Sequence, residues 1–241
     1  MFDHVTIRVA DREASRRFYD IVLAALGQRR SHAGAHYDEW NEFGIADAEQ
    51  AVTRGLHAGF VARSQDEVDA FWRAGIDAGY ASEGKPGLRP VYHSEYYGAF
   101  LLDPDGNSAE AVFHGHQREP GNIIDHLWLR VADLEASRRF YDVIAPTIGV
   151  AVRKSDRAER VHVESGDRSF ALLHGSRASE HVHMAFPVAD DDAVREFHRV
   201  ALEAGYRDNG PPGERRYHPG YYAAFVLDPD ANNIEAVNHN R

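Results

Sequence analysis

The alternation of polar and apolar positions at the start of the chain predicts a strand followed by a helix. Val5, Ile7 and Val9 alternate with polar residues, which indicates a strand with one buried face. Asp11 can cap a helix in which apolar side chains then recur at helical spacing. Residues 30–52 are typical of short strands. The first quarter of the chain therefore predicts a strand, a helix and further strands.

The next stretch repeats this order. Leu56–Ala62 predicts a strand, and the capping box Ser64–Glu67 opens a helix that is expected to end at Gly79. A Gly/Pro stretch at 84–87 predicts a loop. It is followed by a predicted hairpin with arms Tyr97–Leu102 and Ser108–Phe113 around the turn Asp103-Pro104-Asp105-Gly106.

The whole pattern is written twice. Residues 8–20 and 130–142 are identical at twelve of thirteen positions, and later blocks repeat at offsets of 122 to 126 residues. A polar seam at 115–122 separates two predicted domains, 1–116 and 122–241. Ala231 stands where the first copy has Gly106 in the hairpin turn. If that backbone needs a positive φ, alanine costs about 1 kcal/mol, so the second turn is expected to differ in shape.

Charge and composition exclude several classes of partner. The net charge is −11, which disfavours nucleic acid and anionic membranes because both need a basic surface. The absence of cysteine suits a reducing cytoplasm, and neither a signal peptide nor a membrane span is expected. A small-molecule substrate or ligand remains the expected partner, and a homodimer stays open.

Histidine is the unusual residue, with 15 copies and no cysteine. Ordinary structural roles are expected for histidines that lack a match in the other copy or sit in loops and on helix faces, namely His32, His36, His114, His116, His162 and His198. The matched sets are His4 with His126, His57 with His183, and Glu110 with Glu235. His181 competes with His183, because both would share one strand face.

Strand alternation would allow two imidazoles and one carboxylate to project from a curled sheet into a common concavity. Such a set binds divalent iron, manganese, nickel or zinc and leaves coordination positions open. We therefore expect one or two divalent metal ions per chain, with a set of hydrogen-bonded buried polar groups as the alternative.

A second repeated block, Tyr-His-x-x-Tyr-Tyr, has its own candidates. His93 and His218 are candidate acid–base groups, and Tyr97 and Tyr222 are candidate donors to a substrate. The alternative is a hairpin whose aromatic residues pack and whose histidine caps a loop.

The Asp-His opening, the His-x-x-Phe strand and the Leu-Asp-Pro-Asp-Gly-Asn ending resemble the vicinal oxygen chelate superfamily. This group includes glyoxalase I, bleomycin- and fosfomycin-resistance proteins and extradiol dioxygenases. The resemblance covers nearly the whole chain. It implies an α+β fold made of two units of two βαβββ modules, with four modules forming cup-shaped mixed sheets and the helices outside.

Carried over by motif, the family's metal ligands fall on His4, His57 and Glu110 in one copy and on His126, His183 and Glu235 in the other. A fourth ligand of the glyoxalase type would fall on Glu49 or His174. The tyrosine of the extradiol dioxygenase signature is replaced by Phe100 and Phe225, so its phenol is missing unless Tyr97 or Tyr222 takes its place. The sequence leaves open whether each half closes its own site or sites form between the halves.

These residues predict a metal-dependent enzyme of the dioxygenase or glyoxalase (lactoylglutathione lyase) type. It would act on a small oxygenated molecule that chelates the metal through two oxygens. The alternative is a metal-free protein that sequesters a drug or metabolite.

Overall fold

The computed structural model describes residues 1–48, 51–118, 121–154, 160–166, 168–175 and 177–241. Glu49 and residues 119–120 of the predicted seam lie outside this described part. The chain forms two compact units. Residues 7–127 make the N-terminal unit, and residues 1–6 with 128–241 make the C-terminal unit. The first six residues thus pack with the second half of the sequence.

The N-terminal unit alternates strands and helices as the polar pattern predicts. Its described elements are the end of β1 (His4–Val9), α1 (Arg12–Ala24), β2 (His32–Ala33), β3 (Tyr37–Trp40), β4 (Phe43–Asp47), β5 (His57–Val61), α2 (Gln65–Asp77), β6 (Ser82–Leu88), β7 (Tyr97–Leu102), β8 (Ser108–Phe113) and the start of β9 (Ile124–Val131). Neighbouring strands run in the orders β9-β5-β8-β7-β6 and β1-β4-β3-β2. Strand β5 is parallel to β8, and β7 is antiparallel to β8.

The C-terminal unit repeats this arrangement. Its remaining described elements are α3 (Leu134–Ile148), β10 (Ala151–Lys154), β11 (Arg160–Ser165), β12 (Arg168–His174), β13 (His183–Pro187), α4 (Asp191–Glu203), β14 (Arg207–Glu214), β15 (Tyr222–Leu227) and β16 (Asn233–Asn238). Neighbouring strands run in the orders β14-β15-β16-β13-β1 and β10-β11-β12-β9. The predicted repeated α+β organisation is confirmed.

Helix capping follows the sequence signals. The Asp11 carboxylate accepts from the backbone N–H groups of Glu13 and Ala14, and Ser64 caps α2 through the N–H of Glu67. Phe18 and Val22 are fully buried on the inner face of α1, as their helical spacing predicts. Among the described residues, no helix is long and apolar enough to cross a membrane.

Two local predictions need correction. The Gly/Pro stretch 84–87 is part of strand β6 rather than a loop, because breaks in register with β7 accommodate its glycines. The second hairpin turn does not differ in backbone conformation, since Ala231 takes a φ of 65° where Gly106 takes 82°. Alanine therefore occupies a left-handed conformation there, which is unfavourable by about 1 kcal/mol relative to glycine.

Candidate metal centres

Three side chains converge in the N-terminal unit: His57 at the start of β5, Glu110 in β8 and His126 in β9. His57 Nε2 lies 2.9 Å from Glu110 Oε2 and 3.1 Å from His126 Nε2. The third edge, from His126 Nε2 to Glu110 Oε2, is 3.3 Å. All three residues are buried.

The approach of His126 to β5 depends on a glycine. Gly59 pairs with Glu110 across the β5–β8 ladder, and a Cβ on Gly59 would lie 2.4 Å from His126 Cε1. A glycine is therefore required for the imidazole to lie this close to the strand. The sequence thus positions the third candidate ligand, His126, partly by the absence of a side chain at Gly59.

The groups of this cluster differ in their preferred protonation. Burial lowers the pKa of His57, which favours the neutral ring. Burial alone would also lower the pKa of His126, but hydrogen bonds with Asp125 and Glu110 raise it to about 9. Burial alone would raise the pKa of Glu110, but hydrogen bonds with His126 and His57 lower it below the usual value. The cluster therefore combines a carboxylate, a neutral imidazole and an imidazolium when no ion replaces the proton.

The C-terminal unit holds the matching set, His4 in β1, His183 in β13 and Glu235 in β16. His183 Nε2 lies 2.8 Å from Glu235 Oε2, and His4 Nε2 lies 3.6 Å from the same oxygen. The two imidazole rings are stacked with their centroids 5.0 Å apart. The side chains of His4 and His183 are 22% and 23% exposed, against 10% and 8% for His126 and His57.

The grouping of ligands within each sequence half, implied by the resemblance, is wrong. The structure groups His57 and Glu110 with His126, and it groups His183 and Glu235 with His4. The physical reason is strand pairing. Strand β1 runs antiparallel to β13, with His4 opposite Ala185, and β9 lies beside β5. Each cluster therefore takes one histidine, His126 or His4, from the other half of the sequence.

The carboxylate of each cluster accepts a hydrogen bond from a tyrosine hydroxyl through its second oxygen, Oε1. The Tyr96 hydroxyl donates to Glu110 Oε1 at 2.8 Å, and the Tyr221 hydroxyl donates to Glu235 Oε1 at 2.7 Å. Burial and the adjacent carboxylate raise the pKa of both phenols, so both stay protonated donors. This role was not predicted from the sequence, although both residues lie in the repeated Tyr-His-x-x-Tyr-Tyr block.

The neighbouring tyrosines point to helices. The Tyr97 hydroxyl donates to Asp69 of α2 at 2.9 Å, and the Tyr222 hydroxyl accepts from Arg195 of α4 at 3.0 Å. Their contact with a substrate stays a prediction, and this placement gives it no support. A phenylalanine packs beside one histidine of each cluster. The ring centroids of Phe100 and His57 are 5.9 Å apart, and those of Phe225 and His183 are 6.0 Å apart.

The repeated histidines His93 and His218 lie outside the clusters. His93 Nε2 is 2.8 Å from His114 Nδ1, and His218 Nε2 is 2.8 Å from His239 Nδ1. Their acid–base role stays a prediction. His114 lies in a loop, as one of the alternatives for the histidines without a predicted function has it, but it does have a match in the other copy. The offset of 125 that links Glu110 to Glu235 also links His114 to His239.

Three other candidate ligands, His181, His174 and Glu49, are not part of the clusters observed in the described part of the chain. His183, and not His181, completes the C-terminal cluster, and His181 sits in a left-handed backbone conformation with φ of 60°. His174 is exposed at the end of β12 and belongs to neither cluster found among the described residues. Glu49 lies outside the described residues, so its role as a fourth ligand stays a prediction.

The ligand atoms fit a metal ion. In an octahedral site with metal–ligand distances of about 2.1 Å, adjacent ligand atoms lie about 3 Å apart. The N-terminal cluster has edges of 2.9, 3.1 and 3.3 Å. The second ring nitrogen of each histidine has a hydrogen-bonding partner, as is usual for metal-binding histidines. His57 Nδ1 lies 2.9 Å from Ser108 Oγ, and His126 Nδ1 lies 2.8 Å from Asp125 Oδ1. The donor set of nitrogen and oxygen suits divalent iron, manganese, nickel or zinc.

Comparisons with known proteins agree with this architecture. The model of the glyoxalase/bleomycin resistance protein/dioxygenase superfamily matches residues 1–111 and 123–236. No curated protein matches the chain. Glyoxalase I from Zea mays is similar in structure, with a TM-score of 0.68 and 18% identity over 99% of this chain and 92% of that one. A putative dioxygenase from Bacillus subtilis subsp. subtilis str. 168 matches with a TM-score of 0.65 and 14% identity over 100% of this chain and 85% of that one.

At these identities the two solved structures bear on the fold alone. The family match is different in kind, because it covers both repeated halves and includes both Glu110 and Glu235. The chain belongs to the glyoxalase/bleomycin resistance protein/dioxygenase superfamily.

Proposed function

We propose that the protein is a metal-dependent enzyme with two metal centres, His57/Glu110/His126 and His4/His183/Glu235. One observation carries this proposal: the same two imidazoles and one carboxylate converge in both units. The substrate would be a small molecule with two neighbouring oxygens. We propose a glyoxalase-like or dioxygenase-like reaction for it.

A divalent metal ion held by these residues supplies Lewis acidity and open positions for two substrate oxygens. Hydrogen bonds within the protein orient the side chains around the metal position. Tyr96 fixes one carboxylate oxygen of Glu110, which leaves the other oxygen toward the two imidazoles. Asp125 and Ser108 hold the outer nitrogens of His126 and His57. The residues are therefore oriented before an ion arrives.

The apolar ring of Phe100 or Phe225 beside a ligand histidine bears on the choice between the two reactions. Neither ring offers a phenolic proton, and the hydroxyls of Tyr97 and Tyr222 are bonded to helix residues. This placement favours a glyoxalase-like proton transfer over ring cleavage assisted by a tyrosine. Product analysis with an α-hydroxycarbonyl and with a catechol would distinguish the two.

Metal binding tests the proposal before any substrate is known. Chelator-treated protein is dialysed against Mn²⁺, Ni²⁺ or Zn²⁺, and the bound metal is counted per chain. We expect two ions for the wild type and one for each of the variants Glu110→Gln and Glu235→Gln. The matched control is His36→Ala, an exposed histidine outside both clusters, which should keep two.

Chelation is tested with acetohydroxamate, a small molecule with two neighbouring oxygens. The metal-loaded protein should bind it, and the chelator-treated protein should not. A wild type that binds no metal above the level of a Glu110→Gln/Glu235→Gln double variant contradicts the proposal. Binding of small molecules by that metal-free protein would then support the sequestering function instead.

A further inference from the structure

A chain of hydrogen bonds leads away from the N-terminal cluster. His126 Nδ1 lies 2.8 Å from Asp125 Oδ1, and Asp125 Oδ2 lies 3.0 Å from His114 Nε2. His114 Nδ1 then lies 2.8 Å from Nε2 of the exposed residue His93. The rings of His93 and His114 are stacked, with centroids 5.1 Å apart. Three side chains, those of His93, His114 and Asp125, thus join the solvent to the imidazole of His126.

The outer end of this chain sets the direction of its hydrogen bonds. The backbone N–H of Glu95 can only donate, and it donates to His93 Nδ1 at 3.3 Å. His93 Nε2 must then carry the proton that it donates to His114 Nδ1. His114 in turn donates from Nε2 to Asp125, and Asp125 also accepts from His126 Nδ1. With Nδ1 as donor, His126 presents Nε2 to His57 and Glu110, as a metal ligand requires.

The C-terminal unit contains the same chain of residue types. His4 Nδ1 lies 2.9 Å from Asp3 Oδ1, and Asp3 Oδ2 lies 2.6 Å from His239 Nε2. His239 Nδ1 lies 2.8 Å from Nε2 of His218, and these rings also stack at 5.1 Å. The outer end differs, because His218 Nδ1 donates to the carbonyl oxygen of Pro219 at 2.8 Å. Both halves of the repeat nevertheless retain the same four residue types.

We propose, on the basis of the proposed function, that His114 and His239 are positioning residues of the two metal centres. Each acts through the neighbouring aspartate, which it holds in place and which in turn fixes the tautomer and orientation of the ligand histidine. We call the two sets the N-terminal relay (His93, His114, Asp125 and His126) and the C-terminal relay (His218, His239, Asp3 and His4).

The aspartates are suited to this task. Asp125 accepts from His126 Nδ1 at 2.8 Å through Oδ1 and from His114 Nε2 at 3.0 Å through Oδ2. Arg118 also contacts Asp125, at 3.2 Å. Removal of His114 therefore leaves the carboxylate paired with Arg118 and His126, and the fold is expected to survive while the orientation of the carboxylate is relaxed.

The experiment measures metal affinity at one centre at a time. In a Glu235→Gln background, which leaves the N-terminal centre alone, His114→Ala is compared with the parent by competition with a metal chelator. We expect its affinity to fall about tenfold to a hundredfold, the usual effect of losing a group that supports a ligand histidine. His114→Gln should restore much of the loss, because its amide nitrogen can donate where Nε2 did. His116→Ala, an exposed neighbour, is the matched control.

A second readout does not depend on metal. Long-range ¹H–¹⁵N spectra of the metal-free protein report the Nδ1–H of His126 directly. In His114→Ala this signal should shift or broaden, whereas in His116→Ala it should not change. A merely structural loss would lower the melting temperature of the variant without moving this signal or being reversed by glutamine.

The outcomes separate the two proposals. If the parent binds metal and His114→Ala binds it as tightly with an unchanged His126 signal, the positioning role is refuted and the metal centre stands. If the parent binds no metal, the proposed function is refuted, and an unchanged His126 signal in His114→Ala would refute the relay as well.

Discussion

The two candidate metal centres are built from the same residue types on equivalent strands of the repeat, yet one is tighter than the other. In the N-terminal unit His126 Nε2 lies 3.3 Å from the carboxylate, and in the C-terminal unit its counterpart His4 Nε2 lies 3.6 Å from it. The side chain of this histidine is 10% exposed in the first case and 22% in the second. Duplication has preserved the ligands, and the surroundings have diverged.

The two units also differ at two positions close to the clusters. In the N-terminal unit Gly59 lies opposite Glu110, and Gly98 lies on the neighbouring strand β7. The C-terminal unit has Ala185 and Ala223 at the corresponding positions. A Cβ on Gly59 would lie 2.4 Å from the His126 ring, and one on Gly98 would lie 2.5 Å from Glu110 Oε1. Ala185 and Ala223 carry the Cβ that the two glycines lack. Residues that never touch a metal can therefore set how closely its ligands approach.

Removal of the carboxylate should separate the two centres most strongly. Glu110→Gln leaves the buried imidazolium of His126 without one of its two carboxylates, which costs about 3 kcal/mol of unfolding free energy in metal-free protein. Glu235→Gln affects half-buried histidines and should cost about 1 kcal/mol. Denaturant unfolding in the presence of a chelator measures both. Equal losses would contradict the inferred difference in burial.

The pH dependence of stability should reflect His126. Its pKa is raised to about 9 in the folded protein, so protonation of His126 favours folding. This contribution is complete below the unfolded value of about 6.5 and is lost as the pH rises through 9, by on the order of 3 kcal/mol at most. Unfolding of the metal-free wild type and of His126→Asn between pH 6 and 10 measures it. The variant should show a flatter profile, and parallel profiles would contradict the assignment.

Exchange of the small residues should shift the metal affinities in opposite directions. Gly59→Ala forces the His126 ring away from β5 and should weaken the N-terminal centre about tenfold. Ala185→Gly opens space beside His4 and should tighten the C-terminal centre by a smaller factor. Each is measured with the other centre removed by Glu235→Gln or Glu110→Gln. No change in either variant would show that the backbone, and not the Cβ, sets the spacing.

A matched pair of tyrosines should give the smallest difference. The Tyr19 hydroxyl donates to buried Asp103 at 2.9 Å, while the equivalent Tyr141 hydroxyl has no hydrogen-bond partner among the described residues. Tyr19→Phe should cost about 1 kcal/mol, and Tyr141→Phe should be neutral or stabilising. Consistent with this, burial raises the pKa of Asp228, the counterpart of Asp103, to about 7. Equal costs in thermal unfolding would contradict the assignment.

The sequence predicts those features that depend on local pattern. Period-two alternation around Val5 and the cap at Asp11 are local signals, and both are confirmed. The six ligand candidates follow from the repeat, since matched residue types are visible without knowledge of the fold. The pairing of β1 with β13 is different, because a repeat cannot show whether a strand joins its own copy or the other.

The direction of side chains near loops could not be predicted from the sequence either. Tyr96 lies just before β7, where strand alternation does not yet apply, so the sequence could not separate it from Tyr97. The relays could have been found in part. Asp3 and Asp125 both precede a ligand histidine, and His114 and His239 share the offset of the carboxylates. Only the fold shows that these residues meet.

The central claim is that each metal centre combines residues from both halves of the sequence, and two double variants of equal composition test it. His57→Ala/His126→Ala removes two ligands from one observed cluster, and His4→Ala/His57→Ala removes one ligand from each. The measurement is bound metal per chain after dialysis against Mn²⁺. We predict one ion for the first variant and none for the second. The reverse result, none for the first and one for the second, would show that each half closes its own site and would contradict the account.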